Sequence, residues 1–343
     1  MHTEPQTLPS DFPAPYNQSV DLLREIPVSS ARTPSSGSAP TARLGFFRRL
    51  TCLPGRLLGW WHLASLDAPT VAVCWSLALA RVSGARLPLW APVALGLGTW
   101  SIYLGDRLMD AKRALSPLRE RHWFHWQHRR LLVPAAVLSL LAALGLVLRN
   151  MPPAIRARDA VLALAAAVYF LAIHSRRNIP SPETDPETAP FSPTRINRRL
   201  HFPRLLSKET FVGLIFALVC AAPAATRSPG SFVVLVAPVA ACFLLAWLNC
   251  WLIERWDAGG DGGTSRQHAL AMAAGSSALL AFACRSPQAG LFLLAIATSA
   301  LLLALLDRQR PRLTALHLRA AADLVLLTPL LVVLLAPLLR GWR

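Results

Sequence analysis

Two acidic segments contain residues whose types and spacing could do chemistry, and the first is centred on residue 106. Asp106 and Asp110 stand four residues apart, so on a helix both carboxylates project from the same face. Such oxygen ligands, completed by the phosphates of a substrate, suit Mg²⁺. The spacing leaves a second interpretation open, in which this is a solvated helix end whose acids pair with Arg107 and Arg113.

The second acidic segment ends a long apolar run near residue 257. Asn249 and Asp257 are eight residues apart and therefore close to one helix face, and Glu254 stands three residues before Asp257. The glycine-rich stretch 259–263 follows and would expose backbone N–H groups that can meet a phosphate. A flexible turn between two helices is the alternative interpretation of that stretch.

Both segments are attached to apolar runs that must position them. The chain is 54% hydrophobic and only 15% charged, whereas soluble domains carry about 25% charged residues. Crossing a bilayer takes about 20 apolar residues, and lipid forces such runs to be helical. We therefore predict an all-α, polytopic membrane helix bundle of about nine transmembrane helices, over 63–82, 88–108, 131–149, 158–174, 209–226, 231–253, 268–284, 288–306 and 318–339.

Charge distribution predicts the orientation of this bundle. The net charge is +17, but the basic residues lie between the apolar runs, so we expect no nucleic acid as a partner. They concentrate in alternate loops on the side of the N-terminus, which places that terminus in the cytoplasm. Residues 1–55, rich in Pro, Ser and Thr, are predicted to be a disordered cytoplasmic tail, and 56–343 a nine-helix transmembrane domain. The Arg- and Ala-rich composition favours a bacterial inner membrane with several passes.

Two further features have competing interpretations. Three histidines, His122, His125 and His128, recur every third residue among aromatic side chains. They could form a metal cluster, but this spacing favours an aromatic-cationic segment that lies on the membrane surface. Asp323 lies inside the last apolar run, where a charge is costly and is usually paired or functional. Arg319, four residues earlier, is its predicted partner.

Taken together, these segments resemble the UbiA-type superfamily of intramembrane prenyltransferases. That family has nine helices, with Asp-rich motifs after helices two and six on the cytoplasmic side. The resemblance covers roughly residues 60–340 and rests on four segments. Leu66-Asp67-Ala68-Pro69 resembles the family's D-x-P opening, and Asp106-Arg107 with Asp110 resembles part of the first motif. The start of the fifth helix is resembled by Lys208-Glu209 with Val212-Gly213-Leu214, and the second motif by Asn249, Asp257 and Thr264. The motifs are incomplete: Ile102, Tyr103, Cys250 and Ile253 stand where the family has Asn or acids, and Glu254 is one residue out of register.

The resemblance implies a Mg²⁺-dependent transferase that moves an isoprenoid group from a diphosphate to an apolar or aromatic acceptor. It implies metal ligands at Asp106, Asp110, Asp257 and Glu254, and catalytic roles for Asp106, Asp110, Asp257 and Asn249. Substrate-binding roles are expected for Arg113, Lys208, Arg177 and Tyr169, although Arg177 could equally be a plain determinant of topology. The missing acids favour an alternative, a non-catalytic family member that binds or transports a lipid-like molecule within membrane lipid.

Overall fold

The computed structural model of the protein describes residues 57–113, 120–176, 208–229, 233–257, 264–283 and 286–340. Every regular element in these ranges is helical, so the predicted all-α class is confirmed. The predicted disordered tail, residues 1–55, lies outside the described residues. So does the stretch 177–207.

The described residues form twelve α-helices. They are α1 (Leu57–Leu63), α2 (Asp67–Ser83), α3 (Trp90–Arg113), α4 (Glu120–Gln127), α5 (Arg129–Asn150), α6 (Pro153–Arg176), α7 (Lys208–Ala225), α8 (Val233–Asp257), α9 (Thr264–Ala283), α10 (Pro287–Gln309), α11 (Ala315–Val325) and α12 (Leu330–Arg340). A 3₁₀ turn, Arg310–Arg312, connects α10 to the last pair. Each of the nine predicted apolar runs coincides with one helix or with two consecutive ones in the described residues.

Within the described residues, five helical segments are long and apolar enough to cross a membrane by length and composition. They are α5, α7, α8, α10 with its 3₁₀ turn, and the α11–α12 pair; α1 and α2 make a sixth if they count as one bent span. The other long helices, α3, α6 and α9, include charged or polar residues near one end or, in α6, near both, which lowers their mean hydropathy. These apolar helices indicate a membrane-embedded protein.

Helix α2 lies at the centre of the bundle and packs against α3, α7, α8, α10, α11 and α12. Its buried face combines Trp75, which is fully buried, with small residues such as Ala72 and Ala78. Small side chains let helices approach closely where lipid supplies no hydrophobic drive. Helices α7 and α8 also approach closely at a small residue, Gly213. A Cβ at this position would lie 3.0 Å from the backbone nitrogen of Trp247, which is too close for an ordinary contact.

Helices α3 and α5 form a second closely packed pair, joined by buried polar contacts. The Ser101 hydroxyl donates to the carbonyl of Ala136 at 2.8 Å, and the Ser139 hydroxyl donates to the carbonyl of Leu97 at 2.9 Å. The outward face of α5 is exposed and apolar, including Leu131. That face is suited to contact with lipid acyl chains.

A sharp bend separates α1 from α2, at an angle of 91°. Ser65 at the bend has a φ of 56°, a left-handed conformation that costs energy in a residue with a Cβ. The bend is held from outside: the Ser65 hydroxyl contacts Nε2 of His125 at 2.9 Å, and Nε1 of Trp100 donates to the carbonyl of Ala64 at 3.0 Å. The bend folds the end of α1 back against the first turn of α2.

The histidine segment contacts the α1–α2 bend through His125. The side chain of His125 is fully buried against Ser65 and so faces the protein, while the location of the segment at the membrane surface stays a prediction. Nδ1 of His128 contacts the carbonyl of Phe124 at 2.9 Å. The side chain of His122 is outside the described part of the structure.

Candidate functional site: a buried polar cluster

Five polar side chains meet inside the bundle, and we refer to them as the polar cluster: His62, Asp67, Arg107, Asn249 and Asp323. All five are at least nine-tenths buried. They come from α1, α2, α3, α8 and α11, so five separate helices converge here. Ionisable side chains inside a membrane bundle are costly and usually serve a function.

The centre of the polar cluster is the imidazole of His62. Its Nδ1 lies 2.7 Å from Oδ2 of Asp67 and 3.3 Å from Oδ2 of Asp323. His62 ends up here because of the α1–α2 bend, which brings it beside Asp67, the first residue of α2. Asp323 reaches the same point from the end of the chain through the packing of α11 on α2.

Arg107 brings positive charge to the polar cluster from α3. Its Nη2 lies 3.6 Å from Oδ2 of Asp67, and its guanidinium lies over the ring of Tyr103, 4.7 Å from the centroid. A buried carboxylate without a cationic partner is strongly destabilising, so Arg107 partly balances Asp67 and Asp323. The aromatic face supplies a second favourable contact for the guanidinium.

Asn249 connects α8 to the polar cluster. Its Nδ2 donates to Oδ1 of Asp323 at 3.2 Å. On the other side, Oδ1 of Asp67 accepts from the backbone nitrogen of Ala68 at 2.9 Å. Each carboxylate therefore has one oxygen held by a protein donor, and its other oxygen directed at His62.

A second, partly buried ion pair lies one helical turn from the polar cluster. Arg319 of α11 donates to Oδ1 of Asp257, the last residue of α8. The predicted pairing of Arg319 with Asp323 is thus wrong. The two side chains stand four residues apart on α11, but packing directs Arg319 to the end of α8 and Asp323 to α1, α2 and Asn249.

The end of α8 is fixed by contacts with α10 and the turn that follows it. Nε1 of Trp256 donates to Oδ1 of Asp307 at 2.8 Å, and Arg310 donates to the carbonyl of Trp256 at 3.2 Å. Glu254, one turn from this end, is exposed and interacts with Glu209 and Lys208 at the start of α7. The structure therefore brings Lys208 and Glu254 together.

The residues of the first acidic segment lie on a different helix from those of the second. Asp106 and Asp110 are half-buried on α3, which packs against α2, α4 and α5. Asn249 and Asp257 lie on α8, whose neighbours include α2, α7, α10 and α11. Helix α2 is the common neighbour of both. The assignment of Asp106, Asp110, Asp257 and Glu254 to one metal ion stays a prediction.

Three of the predicted substrate-binding residues cannot be placed. Arg113 and Tyr169 lie on α3 and α6, but their side chains are outside the described part of the structure. Arg177 is outside the described residues altogether. Their substrate-binding roles stay predictions.

Sequence reasoning missed His62 and Arg107 as members of a site. His62 stands five residues before Asp67 in the segment Trp60-Trp61-His62, and only the bend after it brings the two together. For Arg107 the sequence left open a pairing with neighbouring acids, yet its side chain is 6% exposed and contacts Asp67 in the polar cluster. The available signal was a guanidinium in the last two turns of a helix whose preceding residues, 90–105, carry no charge.

Comparison with known proteins gave no relative for this arrangement. No family model, no curated protein and no solved structure matches the chain.

Proposed function

We propose that the chain is a UbiA-like intramembrane prenyltransferase, which transfers an isoprenoid group from a diphosphate to an apolar or aromatic acceptor. The observation that supports this function best is the polar cluster, because buried polar groups from α2, α3, α8 and α11 meet inside an otherwise apolar bundle. Helices α3 and α8 are the second and sixth of the predicted runs. They contribute Arg107 and Asn249 to the polar cluster, which supports the proposal.

The polar groups lie where the N-terminal end of α2 meets the C-terminal parts of α3 and α8. Asp67 begins α2, Arg107 lies in the last two turns of α3, and Asn249 and Asp257 lie in the last three turns of α8. An isoprenoid diphosphate has a charged head and an apolar tail. The head would lie at this polar end, and the tail would lie among the apolar helices.

In this proposal the acids of the two motifs hold Mg²⁺. Asp106, Asp110, Asp257 and Glu254 offer only carboxylate oxygens, the donors that Mg²⁺ prefers. When bound, Mg²⁺ would neutralise charge on the leaving diphosphate. The catalytic set would be Asp106, Asp110, Asp257 and Asn249, and the substrate would be bound by Arg113, Lys208, Arg177 and Tyr169.

One observation favours a second candidate, a non-catalytic protein that binds or transports a lipid-like molecule. Asp257, the acid of the second motif that best matches the family's spacing, already has Arg319 as a cationic partner. A metal ion at Asp257 would have to compete with that guanidinium. The two candidates differ in whether diphosphate is released.

The melting temperature measured with and without ligands tests whether the metal–diphosphate site exists. We expect Mg²⁺ with an isoprenoid diphosphate to raise the melting temperature of the purified full-length protein by a few degrees. A ligand at 100 times its Kd adds about 2.7 kcal/mol to the free energy of unfolding. Mg²⁺ alone should have little effect, because it relies on substrate phosphates for part of its coordination. Asp106→Asn and Asp257→Asn should each abolish the shift.

The control for these variants is Asp159→Asn, since Asp159 pairs with Arg158 near the start of α6, far along the chain from both motifs. It should keep the full shift. The transferase also requires diphosphate release in the presence of an apolar acceptor, lost in Asp106→Asn and Asp257→Asn. A shift without release would support the binding protein instead. No shift with any isoprenoid diphosphate would exclude the proposed site.

The proposed topology has nine spans in a bacterial inner membrane, with the N-terminus in the cytoplasm. Single cysteines introduced near positions 115, 190 and 260 should therefore react with a membrane-impermeant thiol reagent only from the cytoplasmic side. A reporter fused at the C-terminus should lie outside. Cys74, Cys220 and Cys242 are buried, which limits background labelling from these three. Positions 190 and 260 on opposite sides would contradict nine spans.

A further inference from the structure

We propose that His62, Asp67 and Asp323 bind a divalent transition-metal ion, such as Zn²⁺ or Mn²⁺, in the interior of the bundle. This site uses none of the residues assigned above to Mg²⁺. It goes beyond the proposed transferase and does not depend on it.

The distances within the polar cluster suit a metal centre. The three side chains each offer one ligand atom, and these atoms all lie within 4.8 Å of one another. Ligands about 2.0–2.2 Å from a tetrahedral or octahedral ion are about 3.0–3.5 Å apart. The contacts of His62 Nδ1, 2.7 Å to Asp67 and 3.3 Å to Asp323, need adjustment by only a few tenths of an ångström.

Both carboxylates are already oriented as single-oxygen ligands. Oδ1 of Asp67 is held by the backbone nitrogen of Ala68, and Oδ1 of Asp323 is held by Asn249. The Oδ2 atoms of both residues face the same ring nitrogen of His62. Outer hydrogen bonds that orient first ligands in this way are the rule in protein metal sites.

Buried atoms without hydrogen bonds provide a second, independent observation. Neither ring nitrogen of His62 has a hydrogen-bond partner among the described residues, and the same is true of Oδ2 of Asp67 and Oδ1 of Asn249. The 2.7 Å contact between His62 and Asp67 is close enough but lacks the direction of a hydrogen bond. Buried polar groups are nearly always hydrogen-bonded, and an ion bound by Nδ1 of His62 and Oδ2 of Asp67 would satisfy both of these atoms.

A protonated His62 is the competing arrangement, because it and Arg107 would balance the two carboxylates without a metal. An imidazolium has two N–H donors and needs an acceptor in the ring plane for each. Nδ1–H would have to donate to Asp67, but its 2.7 Å contact with Oδ2 lacks the direction of a hydrogen bond, whereas a metal ion at Nδ1 needs no hydrogen there. A neutral imidazole with two carboxylates instead forms a mixed nitrogen and oxygen set, which suits Zn²⁺, Mn²⁺ or Fe²⁺.

Titration with Co²⁺, a spectroscopic substitute for these ions, tests the site. The full-length protein, purified without a histidine tag and stripped with a chelator, should bind one Co²⁺ per chain with saturable visible absorption. One equivalent of Zn²⁺ should displace it. His62→Gln and Asp323→Asn should each weaken binding by roughly 100-fold, because each removes a ligand. No diphosphate is present, so the result is independent of the proposed transferase.

The matched control is His128→Gln, which changes a histidine outside the polar cluster and should bind Co²⁺ like the wild type. If the cluster variants do not fold, the wild-type spectrum and stoichiometry still decide the question. His62→Cys gives a further readout, because a thiolate ligand would add an ultraviolet charge-transfer band on Co²⁺ binding. A wild type without saturable Co²⁺ absorption, or equal binding in His62→Gln and Asp323→Asn, would overturn the proposal.

Discussion

Replacing Arg107 with methionine should destabilise the protein by about 3–5 kcal/mol, because it leaves buried carboxylates without a cationic partner. Arg107 is 6% exposed and Asp67 is 1% exposed, so water cannot take over the charge compensation. Methionine fills part of the same volume, which makes the lost charge the dominant change. The free energy of unfolding would be measured by equilibrium denaturation in mixed micelles, with a chelator present.

Two controls isolate the charge effect. The double variant Arg107→Met/Asp67→Asn removes one charge of each sign and should recover much of the loss, since buried pairs can be replaced together at low cost. Arg129→Met removes an exposed guanidinium that stacks on Trp126 and should cost less than about 1 kcal/mol. If Arg107→Met were no worse than Arg129→Met, Arg107 would not be the charge partner of the polar cluster.

Trp75→Ala should have an effect of similar size, about 3–5 kcal/mol, for a different reason. Trp75 is the largest fully buried side chain in the described residues, and it packs edge-on against Phe216, with ring centroids 5.5 Å apart. Its Nε1 also donates to the carbonyl of Leu326 at 2.8 Å, where α11 ends before the break to α12. Alanine would leave a cavity and an unpaired carbonyl together.

Trp75→Phe separates these two losses. Phenylalanine keeps much of the ring volume but cannot donate to Leu326, so we expect a loss of about 1–3 kcal/mol. Thermal or denaturant unfolding of both variants in the same micelles gives the comparison. Equal losses in Trp75→Phe and Trp75→Ala would mean that the hydrogen bond at the helix break, rather than core volume, accounts for the stability that Trp75 provides.

The sequence was sufficient to predict the helices, because the signal for them is local. An apolar run must satisfy its own backbone hydrogen bonds in lipid, so run length and hydropathy alone identify the helical segments. The run predicted at 131–149 is the helix Arg129–Asn150, and that predicted at 288–306 is Pro287–Gln309. The sequence also predicted that Asp106, Asp110, Asn249 and Asp257 lie near helix ends, since this follows from the same runs.

Run length and hydropathy could not predict the two helix breaks. The first predicted run, 63–82, begins at a 91° bend whose positive φ at Ser65 is held by His125 and Trp100, residues far along the chain. The last run, 318–339, is interrupted between Val325 and Leu330. There the Thr328 hydroxyl donates to the carbonyl of Ala295 on α10, at 2.8 Å. Both breaks depend on contacts between helices, which hydropathy along one run does not record.

Partner choice at the site was decided only by the tertiary structure. The i, i+4 spacing of Arg319 and Asp323 is compatible with an ion pair, but Arg319 pairs with Asp257 and Asp323 meets His62 and Asn249. On a helix, spacing fixes only the face from which each side chain projects. Which charge faces it depends on how helices distant in sequence pack. The sequence thus determined a helical membrane protein with acidic helix ends, and helix packing selected the buried polar cluster.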